Sequence, residues 1–145
     1  TPKFALMVGG KPTASSVKEL IKKEEMGRLL PIQEGMYQVC STPGGTAYGS
    51  LGYLPIKVAG KTGTAQVSSI AQSEVNRMKE EQLDYYKRSH AWLTTYAPYE
   101  NPRYVVTAMV EHGGHGGSEA GPMVAAVYRK LIELGYIKPA GDSPR

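Results

Sequence analysis

The run of β-branched and small residues at Leu54–Val67 constrains the fold more than any other stretch of the sequence. Its composition is typical of a β-strand, and two further strands are predicted at Ala91–Tyr96 and Tyr104–Glu111. The connection between those two, Pro98–Pro102, is rich in turn residues, so we expect them to pair as a hairpin. The sequence thus predicts an antiparallel sheet of about three strands. The Leu54–Val67 strand would need a neighbour or a ligand along its outer edge.

Two helices are predicted to flank these strands. The first begins at Pro31, which suits the first turn of a helix, and ends before Pro43-Gly44-Gly45. The second begins with Ser118 as its N-cap and ends at Gly135. Its predicted apolar stripe comprises Val124, Val127, Leu131 and Leu134, and its predicted outer face comprises Arg129, Lys130 and Glu133.

Helices packed on a small antiparallel sheet make an α+β fold. Hydrophobic residues form 41% of the 145 positions, which is enough to bury a core. We expect residues 1–137 to form the folded part, with a charged insertion at 68–89 and a flexible tail at 138–145. No apolar run is long enough to span a bilayer, and no N-terminal stretch is typical of a signal peptide. Any targeting segment is therefore expected outside these residues.

Charge and cysteine content argue against a nucleic-acid partner and against an internal disulfide. The net charge of +4 comes from scattered basic residues, so no nucleic-acid partner is predicted. Cys40 is the single cysteine, which excludes an internal disulfide. It lies on the apolar face of the first predicted helix, where it is expected to be a small core residue.

The tetrad Lys61-Thr62-Gly63-Thr64 lies inside the first predicted strand. Lys61 supplies a cation, Thr62 and Thr64 supply hydroxyl donors, and Gly63 leaves room for another chain against the backbone. A peptide could add along this edge, with its terminal carboxylate on the lysine and the hydroxyls. A backbone N–H after the glycine could face a developing oxyanion. By itself the tetrad is equally compatible with an ordinary strand that carries one exposed lysine.

The surrounding sequence resembles a known family. Ile56–Gln66 is similar, almost residue for residue, to the third motif of the class B penicillin-binding proteins, whose Lys-Thr-Gly also marks serine β-lactamases. Upstream, Glu34-Gly35-Met36 and Gly45-Thr46-Ala47 resemble the helix and turn that precede that strand. Downstream, His90–Tyr99 and Glu111–Pro122 resemble the next two strands and the start of the last helix. The resemblance covers nearly the whole chain and implies the C-terminal part of a transpeptidase domain.

The resemblance implies a role for each residue of the tetrad. Lys61 would be catalytic, supporting proton transfer beside the nucleophile and attracting the substrate carboxylate. Thr62 and Thr64 would bind the terminal carboxylate of a D-Ala-D-Ala stem peptide or of a β-lactam, and Gly63 would admit the substrate backbone. The Thr64 N–H would contribute to the oxyanion hole. The reaction implied is acyl transfer through a serine ester to a neighbouring stem-peptide amine, without a cofactor.

One departure from the family pattern concerns the nucleophile. The family needs Ser-x-x-Lys, and Ser15-Ser16-Val17-Lys18 matches it, but its charged surroundings and short spacing to Lys61 argue against that role. Tyr99-Glu100-Asn101 resembles a variant second motif, yet it follows the Lys-Thr-Gly strand and is interpreted as turn chemistry. We therefore expect the nucleophile upstream, in a part of the protein outside this chain.

Other candidate sites are weaker. His112 and His115 flank two glycines, but two histidines without a third ligand are a poor metal site, so no metal is predicted. The glycine-rich segment Gly113–Gly117 lacks the spacing and lysine of a phosphate-binding loop and is interpreted as a structural turn.

Two classes of function fit these observations. The first is the Lys-Thr-Gly half of a D,D-transpeptidase in cell-wall elongation, completed by the missing N-terminal part of the same protein. The resemblance further implies a bacterial periplasmic location, an inner-membrane anchor outside this chain, and contact with rod-complex scaffold proteins. The second is a non-catalytic fragment or interaction module. The enzyme interpretation is favoured because a three-stranded sheet with an unpaired edge is a poor independent fold.

Overall fold

The computed structural model describes residues 7–12, 23–67 and 83–139. The chain divides into two units, Thr1–Leu30 and Pro31–Arg145. In the first unit, strands β1 (Met7–Val8) and β2 (Lys11–Pro12) pair around two glycines with positive φ, and a 3-10 helix spans Lys23–Leu29. The second unit holds the remaining elements and the predicted site.

Helix α1 (Leu30–Ser41) and a short helix α2 (Tyr48–Leu51) precede the sheet of the second unit. Strands β3 (Ala59–Ala65), β4 (His90–Ala97) and β5 (Tyr104–Val110) form that sheet in the order β3-β4-β5. Both pairings are antiparallel, so the predicted α+β class and the predicted hairpin are confirmed. A 3-10 turn (Tyr85–Lys87) lies before β4, and a π-helical turn (Gly116–Ala120) leads into helix α3 (Gly121–Glu133).

The first strand is shorter than predicted, since residues 54–58 are not part of the sheet. The Leu54 N–H donates to the Leu51 carbonyl, which continues the turn after α2. The Ser41 hydroxyl then accepts from the Val58 N–H at 3.2 Å and donates to the Val58 carbonyl at 2.8 Å. A side chain thus satisfies the backbone groups that a strand would have used. Val58 remains fully buried, so this apolar segment packs in the core without joining the hydrogen-bonded pairing of the sheet.

The last helix also differs from its prediction at its beginning. Ser118 is not an N-cap: it lies inside the π-helical turn, where its hydroxyl donates to the His115 carbonyl at 3.3 Å. The helical segment starts earlier because Gly116 and Gly117 tolerate close contact with neighbouring backbone. The end is as predicted, since Gly135 adopts φ 76° and its N–H donates to the Ile132 carbonyl.

The predicted apolar stripe of α3 is only partly right. Val124 is buried, but Val127 and Leu134 are 44% and 57% exposed. Ala125 and Tyr128 take the inward positions, because the Tyr128 phenol meets Thr95 of β4 at 2.9 Å. The predicted outer residues Arg129, Lys130 and Glu133 are exposed, and Lys130 pairs with Glu133.

The core lies between one face of the sheet and the helices α1, α2 and α3. Cys40 is fully buried there, and burial raises the pKa of its thiol to about 12, which confirms its prediction as a core residue. Most of the predicted insertion (68–82) and most of the predicted tail (140–145) lie outside the described residues. Within the described ranges, none of the helices combines the length and apolarity needed to cross a bilayer.

Candidate functional site

The Lys61–Thr64 tetrad lies in β3, the edge strand of the sheet among the described residues. Its neighbour β4 occupies one side only, so part of its backbone hydrogen-bonding groups face away from the sheet. Just before the strand begins, Ser41 at the end of α1 bonds to both backbone groups of Val58, and the first two residues of β3 are buried. The edge becomes accessible from Lys61 onward, where the exposed and half-exposed residues begin. The fold therefore exposes the predicted site residues along a single edge.

Strand register divides the tetrad between the two faces of the sheet. Thr62 and Thr64 pair with Leu93 and Ala91, which point into the core, so both hydroxyls leave from the helix-covered face. Lys61 and Gly63 belong to the opposite face. The ammonium and the hydroxyls can therefore meet one ligand only at the strand edge itself.

Lys61 reaches that edge by bending along its own strand. Its ammonium donates to the carbonyl of Thr62 at 2.6 Å, and the side chain is exposed. A short contact of this kind is typical of a charge-assisted hydrogen bond. The ammonium is therefore held at the Thr62 carbonyl, and no carboxylate neutralises it there among the described residues that line the cavity.

The Thr62 hydroxyl has a partner from another element. Thr46, in the turn between α1 and α2, places its hydroxyl 3.0 Å from that of Thr62. The sequence of Gly45-Thr46-Ala47 matches a turn of the family, but it predicts no role for Thr46. Only tertiary structure brings the two threonines together, so the pairing could not be found from spacing along the chain.

The glycines of the π-helical turn bring its backbone against the sheet. A Cβ added at Gly116 would lie 2.1 Å from the Trp92 carbonyl oxygen and 2.9 Å from that of Gly63. Real Cβ atoms do not approach backbone oxygens so closely, so the turn can pack here only because Gly116 has no side chain. The turn consequently forms a second wall beside β3.

An open cavity of about 570 Å³ lies between these elements. The tetrad forms one wall, and Thr46 and residues 115–118 complete it. Among the described residues that line it, Lys61 carries the one formal charge and none is a carboxylate. Hydroxyls and one ammonium around a cavity favour an anionic ligand with hydrogen-bond acceptors.

Of the two histidines considered as metal ligands, His112 lies apart from this cavity and His115 lines it. The Nδ1 of His112 lies 3.1 Å from the Arg88 carbonyl oxygen. The backbone N–H of His112 donates to Nδ1 of His90. Within the described part of the chain, no three His, Cys, Asp or Glu side chains form a group that could hold a metal ion. His115 lines the cavity described above, although it was considered only as a metal ligand.

Two further sequence motifs, Tyr99-Glu100-Asn101 and Ser15-Ser16-Val17-Lys18, are assigned no catalytic role by the sequence. Tyr99 and Glu100 lie in the β4–β5 connection, where Glu100 pairs with Lys57 at 2.9 Å, so they are turn residues as interpreted. Lys57 holds the pKa of the Glu100 carboxyl below its usual range through that hydrogen bond. Ser15-Ser16-Val17-Lys18 lies outside the described residues.

Comparisons with known proteins identify the family of the chain. Residues 13–133 match the sequence model of the penicillin binding protein transpeptidase domain. The peptidoglycan D,D-transpeptidase MrdA of Haemophilus influenzae is 40% identical over 95 residues, which are 66% of this chain and 14% of that protein. The chain therefore spans about one seventh of the length of that relative.

Solved structures show the same fold. Penicillin-binding protein 2 of Helicobacter pylori in complex with MreC superposes with a TM-score of 0.69 at 37% identity, over 85% of this chain and 20% of that one. A second structure of penicillin-binding protein 2 from H. pylori gives a TM-score of 0.63 at 39% identity, over 83% of this chain and 19% of that one.

A match over most of the chain shows the family: the chain belongs to the penicillin-binding protein transpeptidase domain family. Within that family it is of the class B type and most like penicillin-binding protein 2.

Proposed function

We propose that this chain is the Lys-Thr-Gly part of a peptidoglycan D,D-transpeptidase that cross-links stem peptides during cell-wall elongation. The observation that supports this most directly is the accessible edge of β3, where Lys61 is the one formal charge among the described residues that line a cavity with threonine hydroxyls. A strand edge next to such a cavity suits an extended peptide that ends in a carboxylate. D-Ala-D-Ala stem peptides and β-lactams both supply that carboxylate.

Each tetrad residue has a role in this proposal. Thr62 and Thr64 bind the substrate carboxylate, and Gly63 admits the peptide backbone against the strand. Lys61 attracts the carboxylate and supports proton transfer at the nucleophile. The Thr64 N–H donates to the oxyanion that develops on the scissile carbonyl.

The reaction proceeds in two acyl transfers. A serine hydroxyl, supplied by a part of the protein outside these residues, attacks the amide carbonyl between the two D-Ala residues. The serine ester forms, the amide C–N bond breaks, and the terminal D-Ala leaves with the serine proton. An amine of a second stem peptide then attacks the ester, forms the cross-linking amide and returns the proton to the serine.

Partners and location follow from the same proposal. The part of the protein that supplies the serine must lie against the accessible edge of β3, because Lys61 has to reach the nucleophile. A bacterial periplasmic location with an inner-membrane anchor outside this chain suits a peptidoglycan substrate. The structure of H. pylori penicillin-binding protein 2 with MreC supports a scaffold protein of the rod complex as a further partner.

Intact mass spectrometry after incubation with a reporter penicillin tests this proposal. We expect no mass gain on this chain alone and the penicilloyl mass on a longer protein that also carries the upstream part. Substitution of Lys61 by Met in the longer protein should slow acylation about ten- to a hundredfold, the range for losing a hydrogen bond to a charged group. Lys57→Met is the matched control, since Lys57 pairs with Glu100 away from the cavity, and should acylate like the wild type.

Three results would count against the proposal. Penicilloyl mass on this chain alone would place the nucleophile at one of its own serines. Equal effects of Lys61→Met and Lys57→Met would remove the special role of Lys61. Absence of labelling in the longer protein would favour the non-catalytic interaction module.

A further inference from the structure

We propose that Thr46 is a positioning residue, which orients the Thr62 hydroxyl toward the carboxylate of the acyl donor. The inference rests on the proposed transpeptidase function and names a residue outside the Lys-Thr-Gly-Thr motif. Its starting point is the 3.0 Å contact between the hydroxyl oxygens of Thr46 and Thr62, two residues that line the cavity.

The backbone of Thr46 is held from both sides by close contacts. On one side, the next residue, Ala47, donates its N–H to the Val39 carbonyl of α1 at 3.0 Å. On the other side, a Cβ added at Gly117 would lie 1.9 Å from the Thr46 carbonyl oxygen, so the bare glycine packs directly on that peptide group. A threonine fixed in this way presents its hydroxyl from a constant position.

Thr62 is in turn held at two of its groups. Its carbonyl accepts from the Lys61 ammonium at 2.6 Å, and its hydroxyl meets Thr46. The residues that make these two contacts, Thr46 and Lys61, line the cavity together with Thr62. Neither contact fixes the direction of the Thr62 hydroxyl hydrogen, because either hydroxyl of the pair could be the donor.

Hydrogen-bond chemistry determines that direction when a carboxylate is bound. An ionised carboxylate only accepts, so the Thr62 hydroxyl must donate its single hydrogen to it. Thr46 must then donate to the Thr62 oxygen, which produces a relay from Thr46 through Thr62 to the carboxylate. Each donor in such a relay strengthens the next, because the hydrogen bonds polarise one another.

A purely structural role for Thr46 makes a different prediction. If its hydroxyl only stabilised the turn after α1, its loss would affect every ligand of the cavity equally. If it orients Thr62, its loss should matter only for ligands that carry a free carboxylate. The two roles can therefore be separated by changing the ligand as well as the residue.

The test compares a penicillin with its methyl ester on the longer protein that carries the whole transpeptidase domain. Thr46→Val keeps the shape of the side chain and removes the hydroxyl, whereas Thr46→Ser keeps the hydroxyl. We expect Thr46→Val to lower the second-order acylation rate about five- to tenfold for the free acid, the equivalent of one neutral hydrogen bond. For the methyl ester the same variant should stay within about twofold of the wild type, and Thr46→Ser should restore most of the rate with the acid.

A double substitution adds a check on the relay itself. In a background of Thr62→Val, the further change Thr46→Val should have little additional effect, because the relay is already interrupted. Equal loss with the acid and the ester, no loss with either, or independent effects of the two substitutions would overturn the inference while the proposed function stands. A wild-type protein that is not acylated would overturn the proposed function, and this inference with it.

Discussion

Thr95 and Tyr128 form a polar pair inside the core. Both are almost fully buried, at 1% and 0% exposure, and their hydroxyl oxygens lie 2.9 Å apart. The Thr95 hydroxyl also donates to the Val106 carbonyl at 3.0 Å, which uses its single hydrogen. Tyr128 must therefore be the donor to Thr95. Burial raises the pKa of the Tyr128 phenol to about 12, so it keeps its proton at physiological pH.

Two substitutions at this pair should lower the free energy of unfolding by unequal amounts. Thr95→Val removes the acceptor and leaves the Tyr128 hydroxyl buried without a partner, which should lower the free energy of unfolding by about 1–3 kcal/mol. Tyr128→Phe removes the donor and leaves Thr95 bonded to Val106, so its cost should be about 1 kcal/mol or less. Urea denaturation of the two variants measures both values. If Tyr128→Phe proved the more destabilising, the assignment of donor and acceptor would be wrong.

Single residues also show where sequence patterns stop being informative. The motif at Lys61–Thr64 could be found from the sequence because its residues are adjacent. Thr46 lies sixteen residues earlier than Thr62 and is placed beside it by the turn after α1, which no periodicity predicts. The capping of Val58 by Ser41 is likewise a tertiary contact, and it shortened the predicted strand.

At the scale of elements, the π-helical turn depends on glycine where the backbone meets β4. Gly116→Ala would direct a Cβ to within 2.1 Å of the Trp92 carbonyl oxygen, and backbone cannot yield there without disturbing β4. We expect a loss of about 2 kcal/mol or more in the free energy of unfolding. Gly35→Ala is the matched control, since nothing lies within 4 Å of its added Cβ in helix α1. It should raise that free energy by about 0.5–1 kcal/mol, because alanine favours helix.

Thermal or urea unfolding of both glycine variants checks this difference. Similar small effects at the two positions would mean that the turn can move away from β4 at little cost.

The same turn explains why the start of the last helix was predicted wrongly. Ser118 followed by Glu119 has the composition of a helix beginning, but the preceding glycines allow the helical turn to start at Gly116. The strands of the hairpin were predicted well because alternation and turn residues are local signals.

For the whole molecule, the sheet has one covered face and one face with exposed apolar residues. Register places Trp92 opposite Met109, and Tyr96 opposite Val105, on the face away from the α3 core. Trp92, Met109 and Val105 are 38%, 41% and 72% exposed. The α+β class could be predicted from the order of elements, whereas the exposure of this face could not, because it depends on tertiary packing and not on local patterns.

The exposed face of the sheet leads to a prediction about the longer protein. This chain spans 14% of the length of the H. influenzae relative, so most of such a protein is available to cover that face. We predict that the upstream part of the same polypeptide does so, because exposed tryptophan and methionine side chains gain free energy when they leave water. Trp92 is the single tryptophan of this chain and reports on the face directly.

Fluorescence can measure this burial of Trp92. The difference in emission between the wild type and Trp92→Phe isolates the signal of Trp92, both in this chain and in the longer protein. In the longer protein that signal should move to shorter wavelength and become less accessible to acrylamide, as expected for an indole that loses contact with water. Val127→Ala, on the exposed side of α3, is the control and should leave the Trp92 signal unchanged. Equal quenching of Trp92 in the two proteins would show that the upstream part does not cover this face.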